Sequence, residues 1–273
     1  MKQISKTEMR NPKSIHMDRM DTEDMARLVI TANYEAVRAA EDAAPMIAEA
    51  VDAVAEAFRS GHRLYYVGAG TSGRLGVIDA AECPPTFGVP YDTVNGIIAG
   101  GKERMFRAGE NEEDKYESGQ NAIEIYGVSQ GDVVVGISAA GNAKFVIGAI
   151  EAAKERGCVT VGISSNPDTG VLQVSDIPIL TDTGAEVLTG STRLKAGTAQ
   201  KIVLNTISTC AMVKTGKVYE NMMVNLAPSN EKLRGRVIRI VSEILSIPAE
   251  EAERKLSEND WSIRKTVEGE KGI

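Results

Sequence analysis

Apolar positions along the chain follow two periods. Between residues 22 and 59 they recur at helical spacing, most clearly in IAEAVDAVAEAF. This predicts two helices, broken near Ala44-Pro45, started by Asp21 or Thr22 as N-cap and closed by Ser60-Gly61. Beyond them, short apolar runs alternate with helical stretches. Strands are predicted at residues 63–67, 93–98, 132–138 (DVVVGIS), 158–164 (CVTVGIS) and 177–180. Helices are predicted at 72–81, 118–126, 143–156 and 195–215. Continuous β-branched runs separated by helices imply a parallel sheet covered on both faces. The expected fold is therefore α/β, a three-layer αβα sandwich preceded by N-terminal helices. Residues 230–273 return to helical patterning with no strand, which predicts a small C-terminal helical appendage. The expected division is 1–59 for the N-terminal segment and helices, 60–225 for the sheet domain, and 226–273 for the appendage.

Composition narrows the classes of function. The chain has 273 residues, 42% apolar and 25% charged, a balance that supports a sizeable core. A net charge of −7 argues against a nucleic-acid or acidic-membrane surface. No apolar run reaches membrane-spanning length, and MKQISKTEMRNP lacks the apolar centre of a signal peptide, so a cytoplasmic protein is expected. Cys83, Cys158 and Cys210 are widely spaced and odd in number, and read as buried thiols. His16 and His62 stand in unrelated contexts, and no metal-ligand spacing occurs, so metal catalysis is not expected.

In a parallel sheet the loops after the strands share one edge. Three of them are rich in Gly, Ser and Thr: GAGTSG, SAAGN and SSNPDTG. Each approaches a helix whose first turn offers unpaired amides and the positive end of a dipole, which points to an anion site. GAGTSG carries the Gly68-x-Gly70-x-x-Gly73 spacing of a dinucleotide loop. The acidic residue that should close the second strand is missing, however, because Asp92 precedes that strand. Gly70, Thr71, Ser72 and Gly73 instead combine amides with two hydroxyls, which suits the terminal oxygens of a phosphate monoester. The loop also lacks the Gly-Lys-Ser/Thr of a nucleoside-triphosphate loop. A sugar phosphate is the ligand these residues favour.

At this point VGAGTSGRLGVIDAAECPPTFG closely resembles the signature of the N-acetylmuramic acid 6-phosphate etherases, which have the sugar isomerase (SIS) fold. RNPKSIHMDRM, NGIIAGG and GAEVLTGSTRLKAGTAQKIVLN extend the likeness over roughly residues 9–240 in collinear order. The resemblance implies a cytosolic homodimer that needs no cofactor. It would cleave the D-lactyl ether of N-acetylmuramic acid 6-phosphate with water, giving N-acetylglucosamine 6-phosphate and D-lactate. It also implies the catalytic pair: Glu82 in AECPP, taken as proton donor, and Glu113 in ENEED, taken as base, although the sequence does not fix which is which. Ser138, Asn142 and Lys195 join the phosphate loop as expected substrate-binding residues, with Arg193 as a further cation in reach. Asp79 is expected to orient the loop, Arg74 to pack or pair beside it, and Cys83 to be inert.

Two segments depart from the family pattern. Ala140-Gly141-Asn142-Ala143-Lys144 stands where Ser-Gly-Arg-Thr-Pro is common, and Asn111-Glu112 where Gly-Ala is usual. Two other readings share the fold: a non-catalytic sugar-phosphate regulator, since the glucokinase regulatory protein resembles the same signature, and a sugar-phosphate isomerase using Glu82.

Overall fold

The computed structural model describes residues 4–109, 111–225, 228 and 230–271. They form two compact units. The larger comprises the described residues up to Ala81 together with Asp92–Ala211; the smaller comprises Glu82–Tyr91 and the described residues from Met212 onward.

The larger unit opens with three short 3-10 turns and two helices, α1 (Thr22–Asp42) and α2 (Ala44–Arg59). Asp21 caps α1 by accepting from the Asp24 amide at 2.9 Å, and Pro45 stands in the first turn of α2, where a missing N–H costs nothing. Five strands follow: β1 (Leu64–Gly68), β2 (Val94–Ile98), β3 (Val133–Ile137), β4 (Val159–Ser164) and β5 (Ile177–Leu180). They pair in parallel in the order β2-β1-β3-β4-β5. The helices between them are α3 (Gly70–Phe87), α4 (Tyr116–Ile125), α5 (Lys144–Glu155) and α6 (Gly170–Val174), and α7 (Lys195–Lys214) comes after β5.

This order dictates where the helices lie. The β1-to-β2 crossover moves one way along the sheet, and the β3-to-β4 crossover moves the other. With right-handed connections they occupy opposite faces. Tyr65, Val67 and Val134 point to one face and pack in a single cluster with Ile123 of α4 and Val146, Ala149 and Ile150 of α5. Tyr66 points to the other, where its hydroxyl donates to Asp79 of α3 at 2.8 Å. Both faces are thus covered, and β1 and β3 are buried throughout.

In the smaller unit α8 (Glu231–Leu245), α9 (Ala249–Glu258) and α10 (Ile263–Lys271) close around Val237, Val241, Ala252 and Leu256. Arg234 lies over the Trp261 ring, 4.9 Å from its centre. The hydrophobic pattern misses one element here, an antiparallel ribbon of β6 (Val218–Tyr219) and β7 (Met222–Met223), too short to show alternation. A second difference concerns α3, expected to end at Ala81 before the prolines. It runs on through Pro84 and Pro85 to Phe87, and the two prolines forfeit the helical bonds to Ala80 O and Ala81 O. Gly88, at φ +64°, ends it by donating to Pro84 O at 2.9 Å. The third difference is Cys210, which is exposed on α7, whereas Cys83 and Cys158 are buried as expected. Burial, with help from Asp132, pushes the Cys158 thiol up to about 11, so it stays protonated.

Candidate active site

The three glycines of the first loop answer to backbone geometry. Gly70 takes φ +54°, a left-handed turn that leads β1 into α3. Gly68 and Gly73 face each other: a Cβ on Gly73 would meet Gly68 O at 2.6 Å. The spacing therefore records close helix–strand packing, whatever ligand is held. The loop delivers Thr71, half-buried, and Ser72, buried, into the first turn of α3, whose amides have no helical acceptor upstream. Asp79, further along the helix, accepts from Tyr66, Asn205 and Ser208, and so ties α3 to β1 and α7.

Beside this turn lies a cavity of about 310 Å³. Ala69 and Gly70 after β1 and Ala99 after β2 line it together with Arg74, Arg104, the Ala108-Gly109 segment and the turn Asn111–Glu113. Glu113, an exposed residue, therefore shares a cavity with Gly70 of the first loop. Asn111 holds φ +60°, a conformation that glycine also adopts and that asparagine tolerates best of the remaining residues. That accounts for Asn in place of Gly. Glu112 is engaged by Lys115 at 3.0 Å. Arg74 donates through Nε to Met105 O at 3.1 Å. Arg104 was not foreseen: among the described residues its Nε has no partner, and its guanidinium makes a long bond to Ala108 O at 3.5 Å. The signal was present, since Arg104 is the second cation, after Lys102, in a loop leaving the same sheet edge as GAGTSG.

The other expected residues are placed elsewhere. Ser138 accepts from Gly141 N at 3.0 Å and so staples its own loop, while Asn142, exposed, accepts from Gly170 N at 3.0 Å and ties the second loop to the third. Neither lines the cavity. Lys195 is only 1% exposed, with Nζ bonded to Glu35 at 2.5 Å and to Thr183 O at 2.7 Å. Burial works to raise the Glu35 carboxyl, but hydrogen bonds and charge from Lys13 and Lys195 outweigh it and hold it below the ordinary range. Arg193 is exposed. Glu82 is an exposed residue of α3 that belongs to the smaller unit. Among the described residues no cluster of His, Cys, Asp and Glu suits a metal ion.

The third loop is occupied by the chain itself. Asn166 donates to Thr7 Oγ1 at 3.0 Å and to Ala139 O at 3.1 Å, and accepts from Thr7 N at 3.3 Å. Ser164 Oγ bonds both the N–H and the C=O of Asn166.

Comparison with known proteins identifies the family and the fold. Residues 46–154 match the family described as the glucokinase regulatory protein N-terminal SIS domain. An N-acetylmuramic acid 6-phosphate etherase of Pasteurella multocida is 47% identical over 96% of this chain and 87% of its own length. The chain belongs to the N-acetylmuramic acid 6-phosphate etherases. Another etherase of this family, from Symbiobacterium thermophilum, is 46% identical over the same shares. Among solved structures, a protein of Escherichia coli CFT073 covers 71% of this etherase-family chain, with 93% of its own length matched and a TM-score of 0.51. At 15% identity that likeness speaks for the SIS fold alone.

Proposed function

We infer that the chain carries out its family's reaction on N-acetylmuramic acid 6-phosphate, in the cytoplasm and in the recycling of cell-wall peptidoglycan. It releases D-lactate and N-acetylglucosamine 6-phosphate. The observation that carries this reading is the cavity in which Gly70 of the hydroxyl-bearing loop meets Arg74 and Glu113.

A plain ether resists direct attack by water, so the sugar supplies the activation. In the open-chain form the C1 aldehyde acidifies the proton on C2. Glu113 takes that proton, the C3–O bond breaks, and Glu82 gives a proton to the departing lactyl oxygen. The product at this stage is an α,β-unsaturated aldehyde. Water then adds at C3, losing a proton to the carboxylate of Glu82, while Glu113 returns a proton to C2. Each such group contributes about 10²–10⁴-fold. The phosphate anchors at the first turn of α3 through the backbone amides with Thr71 and Ser72, a site where charge-assisted hydrogen bonds and the helix dipole act together. Ser138, Asn142 and Lys195 then act on loop shape: Ser138 staples the second loop, Asn142 ties it to the third, and Lys195 fixes the entry to α7.

We also propose a homodimer. Helix α1 exposes Ile30, Tyr34 and Val37 at 67%, 65% and 50%, an apolar stripe at helical spacing that a second copy would cover. The test of function is a lactate assay run on the phosphorylated sugar and on N-acetylmuramic acid itself. Release from the first, with little from the second, is expected. Tight binding of the sugar phosphate with no lactate would favour the regulator, the reading that the match at residues 46–154 keeps in view.

A further inference from the structure

Gln200 stands in the second turn of α7, only 1% exposed, and bonds the phosphate loop directly. Its Oε1 accepts from Ser72 Oγ at 3.0 Å. Its Nε2 is buried and has no partner among the described residues. The two segments are packed closely, since a Cβ on Gly197, one turn earlier, would lie 3.6 Å from Thr71 Cγ2. A buried amide N–H without an acceptor is costly and rare. Here it sits on a side chain that touches the serine expected to hold the ligand.

Proton counting gives this contact a meaning. A serine hydroxyl has one proton, and a phosphate dianion offers only acceptors. With the amide as observed, the Ser72 proton is directed to Gln200 Oε1, and a phosphate at the loop would meet only lone pairs. A half-turn of the amide, about a soft two-fold torsion, exchanges the two ends. Nε2 then donates to Ser72 Oγ, and the serine proton is released toward the ligand. In the same movement Nε2 gains an acceptor and Oε1 gives up the Ser72 donor.

We propose that Gln200 is a positioning residue for the sugar phosphate, whose amide turns on binding so that Ser72 becomes a donor to the phosphate. This rests on the etherase reading only for the identity of the ligand. The chain of donors runs Gln200 Nε2 to Ser72 Oγ to phosphate oxygen, and each link strengthens the next.

The test compares Gln200→Glu, Gln200→Met, Ser72→Ala and Ser72→Ala/Gln200→Glu by KM and kcat, below the unfolding midpoint of each. A carboxylate at position 200 only accepts, so it retains the serine proton. Gln200→Glu should raise KM at least about tenfold, the loss of one hydrogen bond to a charged group, with kcat within about twofold. Gln200→Met, which leaves the serine proton free, should raise KM less. In the Ser72→Ala background Gln200→Glu should add nothing. A further KM increase in that background would mean simple charge repulsion and would overturn the proposal. So would a Met variant as impaired as the Glu variant, or a Glu variant with unchanged KM. If the wild-type chain releases no lactate, the etherase reading fails. The same order of variants is then read from calorimetric affinities for N-acetylglucosamine 6-phosphate and inorganic phosphate.

Discussion

The first and third loops of the sheet edge have nearly the same composition and opposite fates. GAGTSG turns at Gly70, presents its hydroxyls in the first turn of α3, and borders a cavity with Arg74 and Glu113. SSNPDTG has its side chains bonded inward, to its own backbone and to Thr7. Both spend side-chain hydrogen bonds on the chain itself, since Ser72 donates to Gln200; what separates them is that the first loop borders a cavity while Asn166 of the third is engaged by Thr7.

Substitutions on the two sides should therefore behave differently. The largest effect belongs to the cavity beside the first loop: Glu113→Gln should lower kcat for lactate release by about 10²–10⁴-fold. Glu112→Gln, whose carboxylate is already paired with Lys115, should cost less than about tenfold, so kcat for the two variants identifies the working carboxylate. In the third loop, Asn166→Ala strands the Thr7 groups and should lower stability by about 1–3 kcal/mol in urea unfolding, with KM unchanged. A raised KM there would erase the distinction between the loops. Ser72→Ala, by contrast, should raise KM about tenfold, and by leaving the buried Gln200 Oε1 without its donor it should also lower stability by about 1–3 kcal/mol.

The smallest effect concerns the scaffold behind the third loop. The Glu35 carboxyl is held below its ordinary value by Lys13 and Lys195, so its contribution is present above the unfolded carboxylate range and lost as pH falls through the folded value. Glu35→Gln should be slightly less stable than wild type near neutrality, and the gap should close on acidification. The side chain is about one-third exposed, so solvent screening keeps the difference small. Urea midpoints across that range read it directly.

The same distinction explains what could be read from the sequence. The strands were legible because burial on both faces of a parallel sheet leaves unbroken apolar runs, as in Val133–Ile137. The close packing of Gly68 on Gly73 was legible as a spacing. Partnership over long separations was not. Nothing local announces that Thr7 fills the Asn166 loop, or that Lys195 is buried against Glu35 from a helix 160 residues earlier. Gln200 was silent for the same reason, as a glutamine in a helix shows no pattern until its neighbour is known. The β6–β7 ribbon was missed because two residues per strand cannot show a period.

Departure of the lactyl group by elimination, after loss of the C2 proton, is tested most directly by turnover of N-acetylmuramic acid 6-phosphate in D₂O. Elimination followed by hydration predicts D-lactate together with N-acetylglucosamine 6-phosphate carrying deuterium at C2. Lactate released with C2 still fully protonated would contradict it.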